Sequence, residues 1–280
     1  VHEFQLRLTD LNSESFHFDL SARLEKVGIK ATDQWPNVSG FSGWVQMNQS
    51  SGQIDIESNN LQLDMPEFFA APIDFDDVLG TVIWRQNNGT TIILSDDIRI
   101  KNADLDMQNS LQVSLSANGI SPLIDVFSNW SISNVSSISR YLPSKLMEPR
   151  LYAWFDNAFI AGKVPSGTAQ FTGPLDKFPF EAGEESFRIE AQLEDATLKY
   201  HPNWPVIEQV TADISIDDMR FYSTHNTATT LGNNTVDAQI GIADMRDPVL
   251  TIDAYATGTL GTIRQLSMQS PIANVLGGQL

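Results

Sequence analysis

Most of this 280-residue chain alternates apolar and polar side chains with a period of two, and in places the alternation skips a residue and resumes. Period two puts successive side chains on opposite faces, so an alternating run is a strand with one greasy and one wet face. The clearest runs are Phe16-Phe18-Leu20-Ala22, Leu61-Leu63-Met65, Leu111-Val113-Leu115-Ala117, Phe187-Ile189-Ala191-Leu193, Val236-Ala238-Ile240-Ile242 and Leu250-Ile252-Ala254-Ala256. A parallel sheet covered on both faces would give continuous apolar runs instead. The expectation is a mainly β chain: an elongated, twisted antiparallel sheet with a few short helices.

The skips carry as much information as the runs. Ile98 and Ile100 give way to Ala103, Leu105 and Met107; Ala191 and Leu193 to Ala196, Leu198 and Tyr200; Ile214 and Ile216 to Met219 and Phe221. Each falls on a polar pair, Lys101-Asn102, Glu194-Asp195 or Asp217-Asp218. A tight hairpin between strands, or one extra residue within a strand, would each return the apolar set to the same face.

Helical signals are short. Leu151, Trp154, Phe155, Ala158 and Phe159 follow the spacing of an amphipathic helix, with Pro149 suited to its first turn and Gly162 to its end. Ser121-Pro122-Leu123-Ile124 and Ser270-Pro271-Ile272 each read as an N-cap followed by proline. Both come after a strand ending in glycine, at Gly119 and Gly258, which suggests a twice-used unit of strands then helix. The expected organisation is a β segment over 1–136, a helical element over 137–162, and a β continuation over 163–280 with a C-terminal helical turn.

Charge and composition exclude several functions. The formal charge of −18 repels phosphate backbones, so no nucleic-acid partner is expected. Cysteine is absent, which removes disulfides, thiolate metal sites and cysteine nucleophiles. His2, His17, His201 and His225 have no metal-ligand spacing, and no metal or cofactor is expected. The acidic pairs Asp76-Asp77, Asp96-Asp97, Glu184-Glu185 and Asp217-Asp218 place neighbours on opposite faces of a strand, which does not suit two-carboxylate glycoside chemistry. Asp104, Asp106 and Asn109 bear a faint likeness to a calcium loop without its mid-loop glycine or terminal glutamate. Phosphate-binding and nucleophile-elbow motifs are missing, so no catalytic residue is assigned. Trp35, Trp44, Trp84, Trp130, Trp154 and Trp204 are scattered without a repeat and are read as packing residues.

The stretch from Tyr141 to Phe221 carries a resemblance. It opens with the helix from Tyr141 to Gly162 and continues through Phe178-Pro179-Phe180 to Tyr200-His201-Pro202-Asn203-Trp204-Pro205. With Leu61-Gln62-Leu63-Asp64-Met65-Pro66 and Ala71-Pro72-Ile73, this wording resembles the AsmA-like superfamily of Gram-negative envelope proteins, in particular its large YhdP-type members. That resemblance implies a sheet curved into an open groove with an apolar lumen, in a periplasmic protein anchored in the inner membrane. It implies phospholipid or another acyl lipid as partner, transport between the inner and outer membranes, and a contribution to outer-membrane barrier integrity. The chain would then be an interior segment whose anchor lies elsewhere in the parent, with envelope proteins as possible further partners.

The candidate groove residues on this reading are Leu61, Leu63, Ile98, Ile100, Val113, Leu115, Ile189, Leu193, Leu198, Ile214, Ile216, Phe221, Ile240 and Ile252. Two alternatives stay open from the sequence: a non-catalytic periplasmic scaffold with a sealed core, and a carbohydrate-binding β protein.

Overall fold

In a computed structural model of the chain, residues 3–9, 17–30, 36–180 and 185–273 are described. Fourteen antiparallel strands succeed one another in sequence order across one sheet, whose edges are the first strand and the last. The first eight are β1 (Glu3–Thr9), β2 (His17–Ile29), β3 (Asn37–Asn48), β4 (Ser51–Asp64), β5 (Ile73–Asn87), β6 (Thr90–Lys101), β7 (Leu105–Ser116) and β8 (Leu123–Ile132). The rest are β9 (Phe159–Pro174), β10 (Ser186–Leu198), β11 (Ile207–Asp217), β12 (Arg220–Thr230), β13 (Asn233–Ile242) and β14 (Leu250–Thr257). A 3₁₀ turn at Val135–Tyr141 and helix α1 (Pro149–Ala158) separate β8 from β9, and helix α2 (Leu260–Met268) comes after β14. The chain divides into two compact units, one of Val1–Trp130 with Ala169–Phe187, the other of Ser131–Thr168 with Arg188–Leu280.

The phase slips resolve into both devices. Lys101-Asn102 closes β6 into the turn to β7, where the Asn102 Oδ1 accepts hydrogen bonds from the backbone N–H of Asp104 (3.0 Å) and Leu105 (2.9 Å). Asp217-Asp218 forms a hairpin: Asp217 pairs with Arg220, and Asp218 adopts φ 50°, the left-handed value such a tight turn needs. Glu194-Asp195 is instead a bulge within β10, with the register to β11 shifting between Leu193 and Ala196 and Asp195 at φ 49°.

The same device recurs in most other strands. Left-handed residues stand inside β2 (Lys26), β4 (Asn60), β11 (Gln209), β12 (His225) and β13 (Asp237), and glycines take positive φ inside β3 (Gly40), β5 (Gly80) and β9 (Gly162). At Lys26 and Asn60 the apolar parity inverts: Ala22 and Leu24 before Lys26, Val27 and Ile29 after; Ile54 and Ile56 before Asn60, Leu61 and Leu63 after. In β6 the acidic pair Asp96-Asp97 is the insertion, between Ser95 and Ile98. A bulge bends its strand and adds twist while leaving the apolar set on its original face.

A bulge frees backbone groups, and at several of them small polar side chains supply the partners. In the first unit the Ser42 N–H donates to Ser58 Oγ (2.8 Å), Ser58 Oγ–H to Ser42 O (2.9 Å), Ser95 Oγ–H to Thr81 O (2.6 Å) and Asn109 Nδ2–H to Ile98 O (3.0 Å). In the second unit Asn226 Nδ2–H donates to Ala238 O (2.7 Å), while Ser223 Oγ–H donates to Asn226 Oδ1 (2.7 Å). Among the described residues no buried side-chain nitrogen or oxygen lacks a partner.

Three local expectations are corrected. Ser121-Pro122 opens a strand, not a helix, because Ile124, Val126 and Ser128 continue period two into β8, and the proposed twofold repeat of strands then helix fails with it. Gly162 lies within β9, not at the end of α1; its φ is 122°, and an added Cβ would stand 2.6 Å from Ala196 Cα. Helix α2 begins at Leu260, capped by Thr259 Oγ1 accepting from Thr262 N–H, ahead of the Ser270-Pro271 signal. Ile272 and Ala273 are helical; residues 274–280 lie outside the described residues, as do His2, Phe16, Trp35 and Glu184.

Candidate functional site

The strand register sorts the proposed residues onto one face. In an antiparallel pair, residues directly opposite one another project to the same side. In the second unit Ile189 is opposite Ile216, Ile216 opposite Phe221, Phe221 opposite Ile242, and Ile242 opposite Leu250. A second row runs Ala191, Ile214, Ser223, Ile240, Ile252 across the same five strands. Leu193 pairs with Ala212 just before the bulge at Asp195, and Leu198 with Ile207 beyond it.

The first unit repeats the pattern. One row is Leu6, Leu20, Met47, Gly52, Trp84, Ile93 and Val113, across seven strands. Leu115 pairs with Thr91 in the adjoining row; beyond the bulges, Leu61 pairs with Phe75, Leu63 with Ile73 and with Val38, Ile98 with Gly80, and Ile100 with Val78 and Met107. No charged residue stands in any of these rows. The charges fill the alternate positions, as in the pairs Arg99–Asp106 (2.8 Å), Lys101–Asp106 (3.2 Å), Lys163–Glu194 (3.1 Å) and Arg188–Asp217 (3.5 Å). Hydrogen bonds from Arg99 and Lys101, with their charge, hold the Asp106 carboxyl below its ordinary range. It is therefore an ion-pair partner, and the faint calcium-loop pattern at Asp104–Asn109 is a turn leading into a strand.

The apolar face is not sealed. Of the fourteen candidates only Leu61 and Leu193 are buried; Leu115 and Ile252 are 38% and 55% exposed, and the other ten are half-buried. A sandwich core would bury most of them, since a second layer takes the place of water.

Two aromatic groups were not legible as groups. In the second unit, α1 starts with Pro149 at its first turn, and the Glu148 carboxylate accepts from Arg150 and Leu151 N–H. Trp154 Nε1–H donates to Tyr200 O (2.8 Å), and its ring meets Phe155 and Phe159 edge-on. Trp154 remains 38% exposed, so the fully buried anchor expected of that stripe is Ala158, at 1%. Trp44, Trp84, Trp130 and Trp204 are half-buried.

In the first unit, Phe171, Phe178, Phe180 and Phe187 form a cluster with ring centroids 5.2–6.5 Å apart. The Phe178-Pro179-Phe180 wording marked the place, but only the ring contacts show that Phe171 and Phe187 stand beside it.

Among the described residues no cluster of His, Asp or Glu could hold a metal, and no helix is long and apolar enough to cross a membrane.

Fold and surface together define an open antiparallel β-sheet protein with uncharged rows aligned across β1–β7 in one unit and across β10–β14 in the other. A family model described as "YhdP protein" matches residues 1–280, and the chain belongs to that family. The intermembrane phospholipid transporter YhdP of Escherichia coli (strain K12) is 21% identical over 253 residues, covering 89% of this chain and 20% of that protein. The chain thus spans about a fifth of the length of that relative. No solved structure matches.

Proposed function

We propose that this chain is a periplasmic segment of a lipid-conducting protein, and that its apolar face shields phospholipid acyl chains in transit between the inner and outer membranes. The observation that carries the reading is the uncharged face: rows of Ile, Leu, Val and Phe aligned across successive strands, half-open to water. Exposed acyl chains cost ~0.8 kcal/mol per CH₂, so two long chains cost on the order of 20 kcal/mol. Uncharged rows of this kind, lying against the acyl chains, offset much of that cost. No catalytic group is needed for this, and the role is non-catalytic. The relative's name, an intermembrane phospholipid transporter, supports lipid as the cargo. The inner-membrane anchor, any envelope partners and the contribution to barrier integrity belong to the intact parent on this reading.

A charge placed on the face tests it. Ile216 sits between Ile189 and Phe221 in the best-aligned row. Ile216→Asp in the intact protein is expected to leave the fold standing, because the half-open site lets the carboxylate keep water, and to weaken the outer-membrane barrier in cells. A folded Ile216→Asp protein with a normal barrier overturns the conduit. Wholesale unfolding would instead place Ile216 in a sealed core and favour the scaffold.

A further inference from the structure

The connection from β9 to β10 differs from the hairpins at Asn88-Gly89, Asp218-Met219 and Leu231-Gly232, which turn within two residues. Its first part lays aromatic rings back on the sheet. Phe171 on β9 and Phe187 on β10 lie 6.5 Å apart, and Phe187 precedes Ile189 by two residues, on the same side of β10. Phe178 and Phe180 return onto those two rings.

Phe180 is 5% exposed and rests on Gly173, where a Cβ would stand 2.8 Å from its ring. The returning backbone is fixed from the neighbouring connection: Leu175 N–H donates to Pro122 O (3.3 Å) and Asp176 N–H to Ser121 Oγ (3.1 Å). Phe178 is then held edge-on between Phe180 (5.6 Å) and Phe187 (5.4 Å), yet stays 39% exposed. A large ring held by its neighbours but left open to water loses little further freedom when an apolar ligand covers it.

We propose that Phe178 is an acyl-chain contact on the lipid path, with Phe180 in its Gly173 seat as the residue that positions it. This rests on the conduit reading and adds a specific contact to it. The alkyl chain would lie against the exposed part of the Phe178 ring, beside Phe171 and Phe187.

The test is in-cell photocrosslinking in the intact protein, with p-benzoylphenylalanine replacing Phe178, Ile216 or the outward-facing Tyr222 in separate strains grown on radiolabelled phosphate. The expected result is a labelled phospholipid adduct at 178 and 216 and none at 222. An adduct at 216 without one at 178 overturns the Phe178 contact and leaves the conduit standing. No adduct at either position overturns both. Gly173→Ala, which displaces Phe180, is expected to lower the adduct at 178 severalfold while that at 216 persists, which also shows that the variant folds. An unchanged yield at 178 would overturn the positioning role of Phe180.

Discussion

Trp84 lies across Gly52, the residue directly opposite it in the β4–β5 pair: a Cβ on Gly52 would fall 2.1 Å from the indole Cζ2. The missing side chain is what lets the largest ring of that row lie flat in the apolar face. Gly52→Ala should force the indole out and destabilise the protein by about 1–3 kcal/mol, the usual range for overpacking. Chemical denaturation would measure it. Because the two residues touch, Gly52→Ala with Trp84→Ala should cost less than the sum of the single changes.

Trp154 gives a smaller effect than a buried tryptophan would. Complete burial would make Trp154→Ala cost about 3–5 kcal/mol. The ring is 38% exposed, and one hydrogen bond to Tyr200 O anchors it. The expected loss is about 1–2 kcal/mol, counting a hydrogen bond of about 1 kcal/mol and partial ring packing. Trp154→Phe should recover the ring packing and not the hydrogen bond, so its thermal midpoint should fall between wild type and Trp154→Ala.

Tyr200 predicts an alkaline limb. Burial beside Trp204 raises its phenol to about 12 from an ordinary value near 10. The folded state holds this proton where the unfolded chain releases it, so the contribution is complete below pH about 10 and is lost as pH rises towards about 12. Tyr200→Phe should flatten the fall in thermal midpoint across that window. An unchanged slope would mean that another group governs it.

How much of this was legible depends on how the signals are built. Alternation over five or more residues, as at Leu111–Ala117, survives any tertiary context, and it announced the antiparallel sheet. The slip at Asp195 was visible because long runs flank it. The bulge at Lys26 has only Val27 and Ile29 beyond it, too short a run to show that its parity has inverted. Asp96-Asp97 looked like a solvated acidic pair because nothing in the residues distinguishes a surface pair from an inserted one; only the register of β5 and β7 does. Ser121-Pro122 misled because an N-cap and a proline are equally a strand entrance, and the period of the next residues decides between them. The Phe171–Phe187 ring contact joins two adjacent strands, which no local pattern encodes.

The central claim is that the uncharged face holds lipid, and native mass spectrometry of the purified chain with organic extraction of what it carries tests it most directly. Phospholipid should co-purify with the folded wild-type chain and be largely lost from Ile216→Asp at equal yield and unchanged thermal midpoint. A folded wild-type chain that carries no lipid, or an Ile216→Asp chain that carries as much as wild type, would contradict the account.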